Sequence, residues 1–186
     1  MKRMIWLLGL MVVLTGCSQE NRELAAAMKM REELLSAQGC AFHARVTADY
    51  GDCLNSFSMD CRGDSSGNLD FEITEPQTIA GIRGTISDQG GSIAFEDQAL
   101  YFPLLTDDQL TPASAPWIFL KTLRSGCITA VCREEELLRL TIDDSYEEDA
   151  LKLDIWLRDE KVPIRGDVLY DGKRILTIEA ENFVFS

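Results

Sequence analysis

From Gly39 onward the chain alternates apolar and polar residues with a period of two, and this alternation limits its folds more than any other feature. It runs through Ala41–Val46, Leu54–Cys61 and Leu69–Glu75, then Ile82–Ser87, Ser92–Glu96 and Ala99–Leu104. It resumes in Leu137–Ile142, Leu151–Arg158, Val162–Tyr170 and Arg174–Phe185. Such a period sends successive side chains to opposite faces of a sheet, so one face is dry and the other wet. Between the runs lie Tyr50-Gly51-Asp52, Gly63 to Asn68, Asp88 to Gly91, Glu96 to Gln98 and Asp171-Gly172. Their Gly, Asp and Asn residues suit tight turns. Two segments depart from the pattern. Glu20–Gln38 is rich in strong helix formers, with Leu24, Ala27, Met28, Leu34 and Leu35 near helical spacing and Gly39 as a stop. Thr111–Gly126 opens with Thr-Pro, closes at Gly126, and sets Trp117, Leu120, Leu123 and Arg124 on one side of a short apolar helix. Helix, strands, helix, strands predicts an α+β fold: a long antiparallel sheet with one face covered by two helices.

The first residues are of another kind. Lys2 and Arg3 precede an uncharged run from Met4 to Leu14, the layout of an export signal and too short to span a bilayer. Leu14-Thr15-Gly16-Cys17 resembles the bacterial lipobox. That resemblance implies cleavage after Gly16, a diacylglyceryl group on the Cys17 thiol, and a further acyl chain, such as palmitate, on the new amino terminus. Residues 1–16 are then a lipoprotein signal peptide and 17–186 a single domain, undivided by repeats or linkers. Each buried methylene is worth about 0.8 kcal/mol, so two or three chains hold a protein stably where one does not. No later apolar stretch reaches the roughly 18 residues of a spanning helix. The expected location is the extracytoplasmic face of the cell membrane.

Thirty-one acidic against 18 basic residues give a net charge of −13, which argues against nucleic acid as a partner. With Cys17 acylated, Cys40, Cys53, Cys61, Cys127 and Cys132 remain, an odd number in an exported chain. Cys127 and Cys132 would lie about 16 Å apart on one extended strand, beyond bridging distance. Cys40 and Cys61 oppose each other only if the turn between their strands centres on Tyr50-Gly51. The pairing is left open.

No catalytic or metal-binding pattern stands out. His43 is the only histidine and lies within an alternating strand, so it reads as a structural or surface histidine. Cys-x-x-Cys is missing, as are a nucleophile elbow, a Walker loop and a dinucleotide glycine pattern. The acidic run Asp143–Asp149 lacks the order of a calcium loop and reads as a solvated turn. Arg45, Arg62, Arg83 and Arg165 fit ion pairs on the wet sheet face. The expectation is a non-enzyme without cofactor or metal.

Several features together resemble the LolA/LolB-like superfamily: the lipobox, the leading helix, Glu75-Pro76 at a strand end, Ile79–Gly84 followed by Gly91–Phe95, the apolar helix, and the closing Pro163 … Tyr170–Arg174 … Asn182-Phe183. Within it the likeness is to lipoproteins of single-membrane, spore-forming bacteria, relatives of the germination lipoprotein GerS. What the resemblance implies is a half-barrel, a curved antiparallel sheet with helices over its concave face. It also implies one of two roles. One is a non-enzymatic adaptor that holds a partner protein at the membrane, marked by a free edge strand or an apolar patch. The other is a carrier with an apolar cavity for acyl chains, lidded by Trp117, Ile118, Phe119, Leu120 and Leu123.

Overall fold

The computed structural model describes residues 21–51, 53–95, 98–106, 109–145 and 151–186. The expected lipidation site Cys17 and the expected signal peptide lie outside them, as do residues 146–149 of the acidic run. Helix α1 is described over 21–36. A meander follows: β1 (Gly39–Asp49), β2 (Leu54–Asp64), β3 (Leu69–Glu75), β4 (Arg83–Ser87), β5 (Gly90–Phe95) and β6 (Gln98–Phe102). A small hairpin of β7 (Leu105–Thr106) and β8 (Gln109–Leu110) leads through a 3-10 turn, Pro112–Ser114, into helix α2 (Ala115–Ser125). A second meander completes the chain: β9 (Cys127–Glu134), β10 (Leu137–Asp143), β11 (Lys152–Arg158), β12 (Val162–Tyr170) and β13 (Lys173–Phe185).

The two meanders form one open, antiparallel, 11-stranded sheet in the order β6-β5-β4-β3-β2-β1-β13-β12-β11-β10-β9. Their seam is the β1–β13 pair, which sets Cys40 opposite Phe185 and Ala48 opposite Leu176. The expected α+β class, with an open antiparallel sheet and two helices, is the fold observed.

Alternation decides the faces. Phe42, Ala44, Val46 and Ala48 of β1 and Leu153, Ile155 and Leu157 of β11 are buried on the dry face with α2 and Ala27, Met30 and Leu34 of α1. On the wet face His43 Nδ1 lies 2.8 Å from Asp60 Oδ1, and Arg83 Nε donates to Glu72 at 2.9 Å. The Arg165 guanidinium lies 4.9 Å above the Trp156 ring and donates to Asp167. The hydrogen bond to Asp167 raises the Arg165 pKa despite some desolvation. Asp171 and Gly172 both take positive φ, 48° and 70°, in the two-residue turn between β12 and β13.

Two sequence expectations are corrected here, and one question left open is answered. On α1 the buried face is Ala27, Met30 and Leu34, while Leu24, Met28 and Leu35 are 43, 49 and 52 % exposed. Both sets satisfy helical spacing, and only the position of the sheet chooses between them. On α2 burial is not one-sided: Ala115 to Leu120, Thr122 and Leu123 are all buried. In β1–β2 the register pairs Phe42 with Cys61 and Cys40 with Gly63, so Cys40 and Cys61 share a face on a diagonal and are free thiols. The turn centre has moved by one residue, which shifts the partner by two and preserves the face. As expected, Cys127 and Cys132 lie on one strand, β9, unbridged.

Candidate functional site

Helix α2 is the element around which a site forms, and its local sequence explains its position. Pro112 cannot extend β8 and is tolerated in a first turn. Thr111 Oγ1 donates to Pro103 O at 2.9 Å and Ser114 Oγ to Thr111 O at 2.6 Å, fixing the approach to the helix. At the other end the Gly126 amide donates to Thr122 O at 2.9 Å.

Side chains then fasten α2 on three sides. Trp117 Nε1 donates to Gly67 O at 2.8 Å in the β2–β3 turn. Arg124 donates to the carbonyls of Asp64 and Ser65 in the same turn, at 2.8 and 2.6 Å. Lys121 Nζ reaches Asp144 at 3.2 Å, 5.5 Å from the Trp117 ring centre. From α1, Arg31 Nε donates to Leu123 O at 2.8 Å. Burial lowers the pKa of this guanidinium, whose second terminal nitrogen is buried without a partner.

Between α2, the end of α1 and the β2–β3 turn lies a cleft of about 320 Å³. Leu35, Trp117 and Leu120 form its apolar wall, and Lys121, Arg124, Asp64 and Asp88 bring charge to it. Burial works to raise the Asp64 pKa, but hydrogen bonds from the Asn68 side chain and from the Asn68, Ser66 and Gly67 amides hold it below the usual carboxylate value. Behind the wall, desolvation raises the Cys40 pKa, against a backbone hydrogen bond from Gly63 and the charge of Arg124.

Of the predicted lid residues, the cleft gathers Trp117 and Leu120. Phe119 points into the sheet, its ring 6.3 Å from that of Phe42 and close over Gly166. Ile118 and Leu123 are also buried in the core. Leu35 and Lys121 were not singled out in the sequence as site residues. Leu35 belongs to another helix, and no local pattern places it across from Trp117.

A second surface lies at the sheet edge. β6 pairs only with β5, so its other side is an unpaired edge among the described residues. It carries Leu100 and Tyr101, 68 and 85 % exposed. Successive residues point to opposite faces, so one large apolar group stands on each side of the edge.

Residues 1–18 match the model of the prokaryotic membrane lipoprotein lipid attachment site. No curated protein matches the sequence. Among solved structures the fold is similar to an uncharacterised conserved protein from Thermus thermophilus, at 13 % identity, TM-score 0.48, covering 86 % of this chain and 85 % of that one. It is similar to a LolA superfamily protein from Nitrosomonas europaea, at 8 % identity, TM-score 0.45, covering 86 % and 93 %. A chain of the complex of the CwlD amidase with the GerS lipoprotein from Clostridioides difficile matches at 12 % identity, TM-score 0.44, covering 86 % and 93 %. At such scores these are likenesses of arrangement, and the role has to come from this chain's own surfaces. The attachment site at residues 1–18 makes the chain a membrane lipoprotein, lipid-anchored on the extracytoplasmic side.

Proposed function

We propose that the protein is a non-enzymatic adaptor, held at the membrane by acyl groups on Cys17, that binds a partner protein through the β6 edge. The observation that carries this reading is the unpaired edge with Leu100 and Tyr101 exposed on its two sides. Sheets commonly protect their edges with charge, proline or bulges, and an exposed apolar edge invites strand addition from a partner. The test is capture from native membranes by the full-length lipoprotein, with Leu100→Lys/Tyr101→Lys as the comparison. A protein recovered in near-equal amount with the wild type and lost with the variant supports the adaptor. The same recovery from both removes β6 from the function. For the anchor, the intact mass of the mature chain should carry diacylglyceryl and N-acyl additions, lost in Cys17→Ala.

A second reading is an acyl-chain carrier. It is favoured by the cleft, where Leu35, Trp117 and Leu120 supply an apolar wall and Lys121 and Arg124 supply cations for an anionic head group. Lipid extraction and mass spectrometry of the purified protein, with fluorescence titration of Trp117 by fatty acids, test it. A flat titration with no bound acyl species rejects it.

A further inference from the structure

The exposed apolar residues of α1 form a pattern. Leu24, Met28 and Leu35 are separated by four and seven positions, so they make one stripe, roughly a third of a turn from the buried Ala27, Met30 and Leu34. Among the described residues the stripe is covered only in part: its members are 43, 49 and 52 % exposed, and Leu35 also borders the cleft. An amphipathic helix with a second apolar stripe left in solvent calls for an occupant.

The length of chain leading to α1 identifies it. Cys17 precedes Asn21, the first described helical residue, by four positions. Four residues span at most about 14 Å. An acylated Cys17 therefore holds α1 against the head groups, where an interfacial helix buries its apolar side about 5–10 Å deep. The charges agree. In a chain of net charge −13, α1 is neutral, with Arg22, Lys29 and Arg31 against Glu23, Glu32 and Glu33, and its most exposed charges are Arg22, Lys29 and Glu32, so the acidity that would oppose an anionic surface does not fall on this helix. Glu33, on another side of the helix, pairs with Lys161 at 3.0 Å.

We infer that α1 is a membrane-docking helix, which lays Leu24, Met28 and Leu35 into the bilayer surface beside the lipid anchor. This rests on the proposed acylation of Cys17 and is independent of the adaptor and carrier readings. With the stripe about a third of a turn from the face that packs on the sheet, docking stands the sheet at a steep angle to the bilayer. It also sets Leu35, and with it the mouth of the cleft, beside the lipid.

Methionine oxidation reads this surface without a probe being introduced. The described methionines are Met28, Met30 and Met59, and Met28 alone is exposed, at 49 % against 2 and 0 %. The full acylated protein is reconstituted in vesicles of phosphatidylethanolamine and phosphatidylglycerol, with acylation and flotation verified, and Met28 sulfoxide formation is followed by mass spectrometry. The reference is the chain begun at Ser18, without signal peptide or Cys17, and hydroxyl-radical labelling of Tyr170, in the last position of β12, is the control. Docking predicts oxidation of Met28 slowed at least about fivefold on vesicles, because susceptibility follows exposure, with Tyr170 unchanged. The triple variant Leu24→Ser/Met28→Leu/Leu35→Ser should in addition leave the anchored chain more easily stripped from vesicles by mild detergent. An acylated, floating protein whose Met28 oxidises at the reference rate overturns the docking alone. A chain without acyl groups overturns the anchor and the docking together.

Discussion

The Phe119 ring of α2 lies so close over Gly166 of β12 that a Cβ on Gly166 would stand 2.6 Å from Phe119 Cδ2. Phe119 is fully buried and cannot swing aside into solvent. Gly166→Ala should therefore destabilise the fold by about 1–3 kcal/mol through overpacking, and Phe119→Ala by about 3–5 kcal/mol through the cavity it leaves. Urea unfolding of the soluble domain measures both. A neutral Gly166→Ala would show that α2 can lift from the sheet at little cost.

The hydrogen bond from Arg31 to the Leu123 carbonyl is a polar link between the two helices. Its loss in Arg31→Ala should cost about 1–2 kcal/mol. Hydrogen exchange should rise over α1 more than over β10 and β11, whose pairing does not involve that helix. Uniform acceleration across the sheet would mean that α1 is not a separately opening unit.

The thiols sort by burial. Cys53 is exposed, while Cys40 and Cys61 are buried and desolvation pushes both their pKa values up, Cys61 strongly. A maleimide at neutral pH should modify Cys53 at least about a hundredfold faster than either. The sign of the linked stability follows. A thiol harder to ionise in the folded than in the unfolded state contributes stability that is fully present below the ordinary thiol value of 9.0. That contribution is lost progressively as pH rises above it. Cys61→Val should then show a shallower decline of stability above that pH than the wild type, measured by denaturant midpoints across an alkaline series.

Leu100→Lys/Tyr101→Lys changes only exposed side chains on an edge strand. Stability should stay within about 0.5 kcal/mol of the wild type, while partner recovery falls at least about tenfold. Unfolding curves and quantitative capture decide the two halves separately.

Much of this architecture is legible in the sequence because a half-buried strand announces itself locally. Leu69–Glu75 is read with the bounds it has as β3, and Asp171-Gly172 makes the turn its residues demand. What is not legible is non-local. Nothing near Cys40 says that Phe185 will lie opposite it, and the Cys40–Cys61 offset depends on a one-residue move of a turn. Helical spacing alone offers two faces for α1, and the sequence reading merges Ala27 with Leu24 where the fold separates them. For the site, Trp117 and Leu120 come from α2's own pattern, whereas Leu35 reaches the cleft only through tertiary packing.

The β1–β13 seam has a consequence for the order of assembly. Within each meander, neighbouring strands are joined by short connections and can zip as soon as they are made, but Cys40 meets Phe185 only after nearly the whole domain has been laid down. The Gln38 amide then donates to Ser186 O at 2.7 Å and the Ser186 amide to Gly39 O at 2.9 Å, closing the root of the tethered helix onto the last strand. The domain is thus two quick half-sheets and one late suture, and until that suture forms both halves offer a bare strand, β1 and β13, to any neighbour anchored in the same membrane.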